Sequence, residues 1–422
     1  MMRAVIILLL GVCLACGPDD PAAAAPPRAK AASPAAPTVT MATADPAVRT
    51  GAARPTITTG TSSPTITTGT AGPTITTTAA APDTHSTPAT QPTRASVERQ
   101  AGACYTPPMP ISAIRRWFGS TPPKPVAELG IRPGTRSLAL YYGWPSVVNG
   151  ANGDVEVAAA TFNRHGVVVF GDGLELPTHP DYQRTVAVLH RLRELGGARV
   201  FGYVDLGVRT QNLDLPTIVR YADAWRQIGV HGIFLDDAGA DFGVDERRRD
   251  AALEGIRRLG LPVILNAHEP DDAFRGRVKL TPEDGYLLES FQVSNGLIQS
   301  PEALLRKADR ALELALQSGT ELYAVATGPS DDPAVKVKRD YAWWTALLYG
   351  IDYFQYTTID YSARTAHLPE PAGEPPDLGT CYLEATVRHS WAEGLHRRLT
   401  DLGEIRVLTQ PEPMGMFLRR GG

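Results

Sequence analysis

The chain has 422 residues, with 41 Lys and Arg against 45 Asp and Glu, for a net charge of −4. That near-neutral balance, without a long Lys/Arg-rich face, excludes the electrostatic footprint of a nucleic-acid-binding protein. The first hundred residues cannot build a core, which leaves enough chain for a single large α/β domain.

In chain order, Met1 to Ala15 has one Arg near its start, an apolar run from Ala4 to Leu10 and small residues before Cys16. This is the pattern of an export signal rather than of a membrane span. Cys13-Leu14-Ala15-Cys16 resembles a bacterial lipobox, which implies lipidation of Cys16 and a membrane anchor. Gly17 after that Cys resembles lipoproteins sent to the outer membrane, so a cell-surface location is expected; simple secretion or a periplasmic location is the alternative. Residues 17–100 are dominated by Ala, Pro, Thr and Ser, and cannot bury enough apolar surface to offset the entropy of ordering. Pro55-Thr56-Ile57-Thr58-Thr59-Gly60-Thr61 recurs from Pro64 to Thr70 and, varied, from Pro73 to Thr78. Such a repeat predicts a flexible or O-glycosylated stalk. Residues 101–422 are the expected folded domain. Cys104 and Cys381 lie near its two ends, and export predicts a disulfide between them; two unrelated thiols is the other reading.

From Ser137 onward, short apolar runs alternate with amphipathic stretches, the signature of parallel β/α units. Strands are expected at 137–142, 166–171, 199–204, 232–236, 262–266, 285–289, 321–326 and 353–356. Helices are expected at 181–195, 215–228, 246–259, 300–318 and 332–349, with irregular units at 155–164 and 271–275. Eight such strands predict a TIM barrel, with an open doubly wound sheet as the alternative. In the tail, 389–402 has the spacing of an amphipathic helix and 405–408 that of a short strand, both expected to close the last unit or the floor.

Polar and aromatic residues stand at the ends of almost all these apolar strands. They are Tyr142 and Trp144, Asp172, Tyr203 and Asp205, Asp236 and Asp237, Asn266 and His268, Glu289, Thr327, and Tyr356 with Asp360. Strand ends in a parallel barrel converge on one face, so this recurrence predicts a site there. Singly, each has a plainer reading: Asp172 as a turn, Tyr142 as a core aromatic, His268 as a surface histidine. No closely spaced His pair, calcium-loop spacing or Gly-rich phosphate loop is present, so no metal or cofactor is expected.

The stretch 137–290 resembles the spherulin-4-like and family-114 glycoside hydrolase barrels, some of which act on galactosamine-rich polysaccharides. The resemblance is carried by Phe201-Gly202-Tyr203-Val204-Asp205, by Trp225 before Gly229-Val230-His231-Gly232-Ile233-Phe234-Leu235-Asp236-Asp237, by Val263-Ile264-Leu265-Asn266 and by Leu287-Leu288-Glu289. Where the spherulin-like pattern has Pro and Gly after the Asn, this chain has Ala267-His268-Glu269. The resemblance implies Asp236 and Glu289 as the catalytic pair, and breaking a glycosidic bond does require two carboxyl groups flanking it. Apolar neighbours before Glu289 suit an acid/base and polar neighbours of Asp236 suit a nucleophile or stabiliser, although the two roles can be exchanged. Asp205 and Asp237 are candidates for gripping hydroxyls or an amine, and Tyr142, Trp144, Tyr203 and Tyr356 for aromatic walls. An exported glycoside hydrolase acting on an amino-sugar polysaccharide is therefore expected. A non-catalytic barrel that binds polysaccharide or cell wall is the alternative.

Overall fold

A computed structural model of the chain describes residues 133–171 and 173–420. Eight parallel strands close into a barrel: β1 (Arg136–Tyr141), β2 (Val167–Phe170), β3 (Arg199–Asp205), β4 (Gly232–Asp236), β5 (Val263–Asn266), β6 (Gly285–Leu288), β9 (Glu321–Thr327) and β10 (Tyr353–Thr357). Their order around the barrel is sequential, and β1 pairs with β10 to close it. The helices are α1 (Val155–Phe162), α2 (Tyr182–Leu195), α3 (Leu215–Ile228), α4 (Glu246–Arg258), α5 (Pro270–Phe274), α6 (Pro301–Ser318) and α7 (Val335–Tyr349). The expected TIM barrel is therefore present, with the strands and main helices where the apolar runs and periodicity put them.

Local chemistry sets these boundaries. Asp154, Asp214 and Asp245 each accept backbone N–H bonds at the start of α1, α3 and α4, satisfying donors that a helix leaves open. Alternation within the strands then divides the apolar residues into two sets. Leu138, Leu140, Val167, Val169, Phe201, Phe234, Ile264, Leu287 and Val325 fill the barrel. Ala139, Tyr141, Phe170, Val204, Leu235, Leu265 and Leu288 face the helices. At the floor, Arg199 Nη2 donates to Glu321 Oε2 (2.6 Å) and to the hydroxyls of Tyr323 (3.1 Å) and Tyr353 (2.9 Å), joining β3, β9 and β10. At the opposite end the same inward parity brings Tyr203, Asp205, Asp236 and Asn266 to the mouth, with Tyr142 and Glu289 one residue beyond their strands.

The tail differs from its sequence reading. Residues 389–402 form no helix; they contain β11 (Arg388–Ser390), a 3-10 turn (Trp391–Glu393) and β12 (Leu395–Leu399). With β13 (Gly403–Leu408) and β14 (Met414–Arg419) these make a four-stranded antiparallel sheet that packs on α7 rather than closing the barrel. The leucines at 395, 399 and 402 imitate a helical stripe, but the side chains actually buried are His396 and Arg398. Arg398 donates to the carbonyls of Glu384, Ala385 and Leu348 and stacks 3.7 Å from the centroid of Tyr382. A small ribbon, β7 (Val293–Ser294) with β8 (Leu297–Ile298), follows β6 and was not foreseen. Cys16, Cys104 and the 17–100 repeats lie outside the described residues, and so does the expected pairing of Cys104 with Cys381. No helix among the described residues is long and apolar enough to cross a membrane.

Candidate active site

Asp236 ends β4, and its neighbour Asn266 ends β5, so the pleat turns both side chains into the mouth. Asn266 Nδ2 donates to Asp236 Oδ1 at 2.7 Å and to Glu289 Oε2 at 3.0 Å. One amide nitrogen on β5 thus bridges the acids at the ends of β4 and β6, the strands on either side of it. The other oxygen of Glu289, Oε1, accepts from the Tyr361 hydroxyl at 2.7 Å. Both Glu289 oxygens thus accept hydrogen bonds, from Asn266 and Tyr361. Burial first, and then the charge of Glu289, push the Asp236 carboxyl up to about 7 against the pull of the Asn266 hydrogen bond.

Two further acids adjoin this pair. Asp205 is 1% exposed; its Oδ1 accepts from Thr210 Oγ1 at 2.8 Å, and its Oδ2 is buried without a partner. Asp237 would point toward the helices if β4 continued, but its φ of 52° is left-handed, a conformation that Asp tolerates. This turn carries it toward Asp205 across Gly207, where an added Cβ would stand 2.9 Å from the Asp237 Cβ. Burial and the charges of Asp236 and Asp205 push Asp237 up to about 8. Burial likewise raises Asp205, opposed by its Thr210 bond.

Aromatic rings surround the acids. Tyr142 meets Tyr203 edge to face at 5.4 Å and lies 5.3 Å from Tyr361. Burial and the nearby carboxyls hold all three phenols well above the usual tyrosine range, so they stay neutral donors. Tyr361 had not been singled out: it follows the expected strand-end Asp360 directly, and its φ of 46° swings the ring into the barrel. Asp360 itself turns away to Thr358 and Arg364.

Not every expected residue joins the cluster. Trp144 lies on the rim, 38% exposed and edge to face with His179. Tyr356 is on the helix-facing side of β10, its hydroxyl packed against Gly328 in a small cavity with Arg339 and His367. The odd–even alternation that carries Gln355 inward takes Tyr356 outward. Asp172 lies outside the described residues. Thr327 is buried and accepts from Asn295 N, and His268 sits on the rim, 3.5 Å from Lys307 Nζ. Lys307, on α6, was not foreseen either; burial lowers its ammonium from the usual lysine range while Glu269 and Glu289 oppose the shift. Among the described residues no group of three or more His, Cys, Asp or Glu is placed to hold a metal ion.

No model of a known protein family matches the chain, and no curated protein matches it. Among solved structures it is similar to the glycoside hydrolase domain of PelA from Pseudomonas aeruginosa, at 14% identity and a TM-score of 0.37, over 55% of this chain and 99% of that one. It is similar also to a GH5-4 broad specificity endoglucanase from an uncultured bacterium, at 8% identity and a TM-score of 0.33, over 55% of this chain and 88% of that one. A third likeness is to the YdjI aldolase from Escherichia coli K12, at 13% identity and a TM-score of 0.32, over 53% and 76% of the two chains. Likenesses this distant, divided between hydrolases and an aldolase, do not decide the chemistry. That rests on the side chains at the barrel mouth.

Proposed function

We propose that this chain is an exported, surface-tethered glycoside hydrolase that cleaves an amino-sugar polysaccharide of the galactosamine type. The observation that carries the reading is the Asn266 bridge between Asp236 and Glu289. Two carboxyl oxygens hydrogen-bonded to one nitrogen, at 2.7 and 3.0 Å, lie at most about 6 Å apart, which supports the roughly 5–5.5 Å spacing of retaining chemistry over the roughly 6.5–9.5 Å of inverting enzymes. Their surroundings favour exchanged roles relative to the sequence expectation. Asp236, protonated near neutral pH, gives its proton to the leaving oxygen. Glu289, with both oxygens held by donors, attacks the anomeric carbon and forms the glycosyl ester. Asp236, now a carboxylate, takes a proton from water as that water opens the ester, and both groups return to their starting state.

Tyr142, Tyr203 and Tyr361 offer rings and hydroxyls to a sugar, and Asp205 with Asp237 offers acceptors for hydroxyls or an ammonium. The resemblance of 137–290 to family-114 barrels supports the amino-sugar assignment, and the signal-like start with Cys16 supports tethering. The test follows new reducing ends released from α-1,4-linked galactosamine and N-acetylgalactosamine polymers by the wild type and by Asp236→Asn. Release by the wild type alone is expected. Binding by both with cleavage by neither would replace this proposal with a non-catalytic polysaccharide-binding barrel.

A further inference from the structure

The tail sheet carries an arrangement that the barrel mouth does not use. Its inner face buries His396, Arg398, Ile405 and Val407. Its outer face carries a row that runs across three strands, because Arg388 pairs with Arg397 and Arg397 pairs with Arg406. Like charges directly opposite each other weaken a sheet, so such a row is a cost that the fold itself does not require. The outer two are neutralised: Arg388 pairs with Glu384 (2.8 Å) and Glu404 (3.3 Å), and Arg406 pairs with Glu404. Arg397, between them, has no carboxylate among the described residues, and its Nε is buried without a hydrogen bond.

Apolar rows flank this line. Leu395, Leu408 and Met414 stand opposite one another on one side, and Leu399 and Leu418 lie on the other around Glu404. Met414 is 46% exposed and Leu418 40% exposed. We propose that this face is an accessory binding surface for a linear polysaccharide bearing carboxylates, with one uronate carboxylate taken by the Arg397 guanidinium and neighbouring pyranose rings lying on the apolar rows.

Charge complementarity chooses this occupant. A guanidinium binds a carboxylate through two parallel N–H bonds, and with Nε buried it is the two Nη atoms of Arg397, without a carboxylate partner among the described residues, that are left for this. Nucleic acid asks for a broad basic surface and aromatic platforms. Here one unpaired cation stands beside two glutamates that repel a continuous phosphate chain. Strands about 4.8 Å apart also space the row at about one sugar unit, so successive sugars reach successive strands.

The test is affinity electrophoresis of the full chain through gels containing polygalacturonate, its methyl ester or single-stranded poly-dT. Retardation by polygalacturonate alone is expected, weakening as salt rises. Arg397→Gln should bind about tenfold more weakly, the loss expected for hydrogen bonds to a charged partner, with a melting temperature no lower than the wild type's because the like-charge row is relieved. Met414→Glu, at an exposed position, should weaken binding similarly without touching the arginine row. Equal retardation of wild type and both variants, no retardation at all, or equal retardation by the ester or by poly-dT would each overturn the assignment. Binding is read without turnover, so failure here leaves the hydrolase proposal standing.

Discussion

Asn266 Nδ2 is the only nitrogen described as hydrogen-bonded to both Asp236 and Glu289. Without it only the Asp237 backbone hydrogen bond opposes the burial of Asp236 and the charge of Glu289, so Asn266→Ala should lower kcat by about 10²-fold, the lower range for positioned proton-transfer groups, with little change in unfolding. The pH dependence separates the roles of the two acids. If Asp236 is the proton donor, kcat/KM falls as pH rises through about 7, because the protonated form is the competent one. A rate that climbs through the same range would return Asp236 to the nucleophile's role. Stability bears the same mark: a carboxyl raised from 3.8 to about 7 binds its proton more tightly when folded, so its contribution is lost as pH rises across that window. Melting temperatures of Asp236→Asn should therefore fall less steeply between pH 4 and about 8 than those of the wild type. The acids were legible in the sequence because each terminates an apolar strand. Tyr361 and Lys307 were not: a left-handed turn supplies the first, and the second reaches the mouth from a helix.

Among the elements, β3 and α3 show how packing holds the site in register. Trp225 on α3 is fully buried, lies over Gly202, and donates from Nε1 to the Tyr203 carbonyl at 3.0 Å. A Cβ at Gly202 would collide with the indole, so Gly202→Ala should cost about 1–3 kcal/mol in chemical denaturation. Because Gly202 immediately precedes Tyr203, that variant should also lose activity beyond what its folded fraction explains. Strands of this kind are easy to read, since a buried parallel strand is a short apolar run bounded by turns. In the tail sheet β13, with Ile405 and Val407 buried, is where the apolar run put it, but β12 is not legible, since its buried face is histidine and arginine and its half-exposed face leucine. Hydropathy then reports the wrong side and the wrong period. The interior is instead satisfied by hydrogen bonds, above all the three carbonyls and the tyrosine ring around Arg398.

For the molecule as a whole, the barrel separates its chemistry from its closure. The four acids with shared electrostatics occupy the end where the strands finish, and the Arg199 network occupies the end where they begin. Arg199 reaches from β3 to Glu321 on β9 and Tyr353 on β10, bonding strands that are not neighbours in the sheet. Its partner Glu321 is only about one-fifth exposed (22%), so removing the guanidinium leaves a carboxylate with little access to water and only the Tyr323 hydroxyl (2.7 Å) and the more distant Arg136 (3.8 Å) as partners. Arg199→Met should therefore destabilise the fold by about 2–3 kcal/mol, below the range for a fully buried pair, as read by urea denaturation. The activity of the remaining folded protein should match the wild type, because the apolar middle of the barrel, from Leu140 and Phe201 to Phe234 and Leu287, separates the two ends. Loss of kcat in the folded fraction would mean instead that the floor sets the geometry of the mouth. In that case the Asn266 bridge depends on closure of the whole barrel as well as on the strands that carry it.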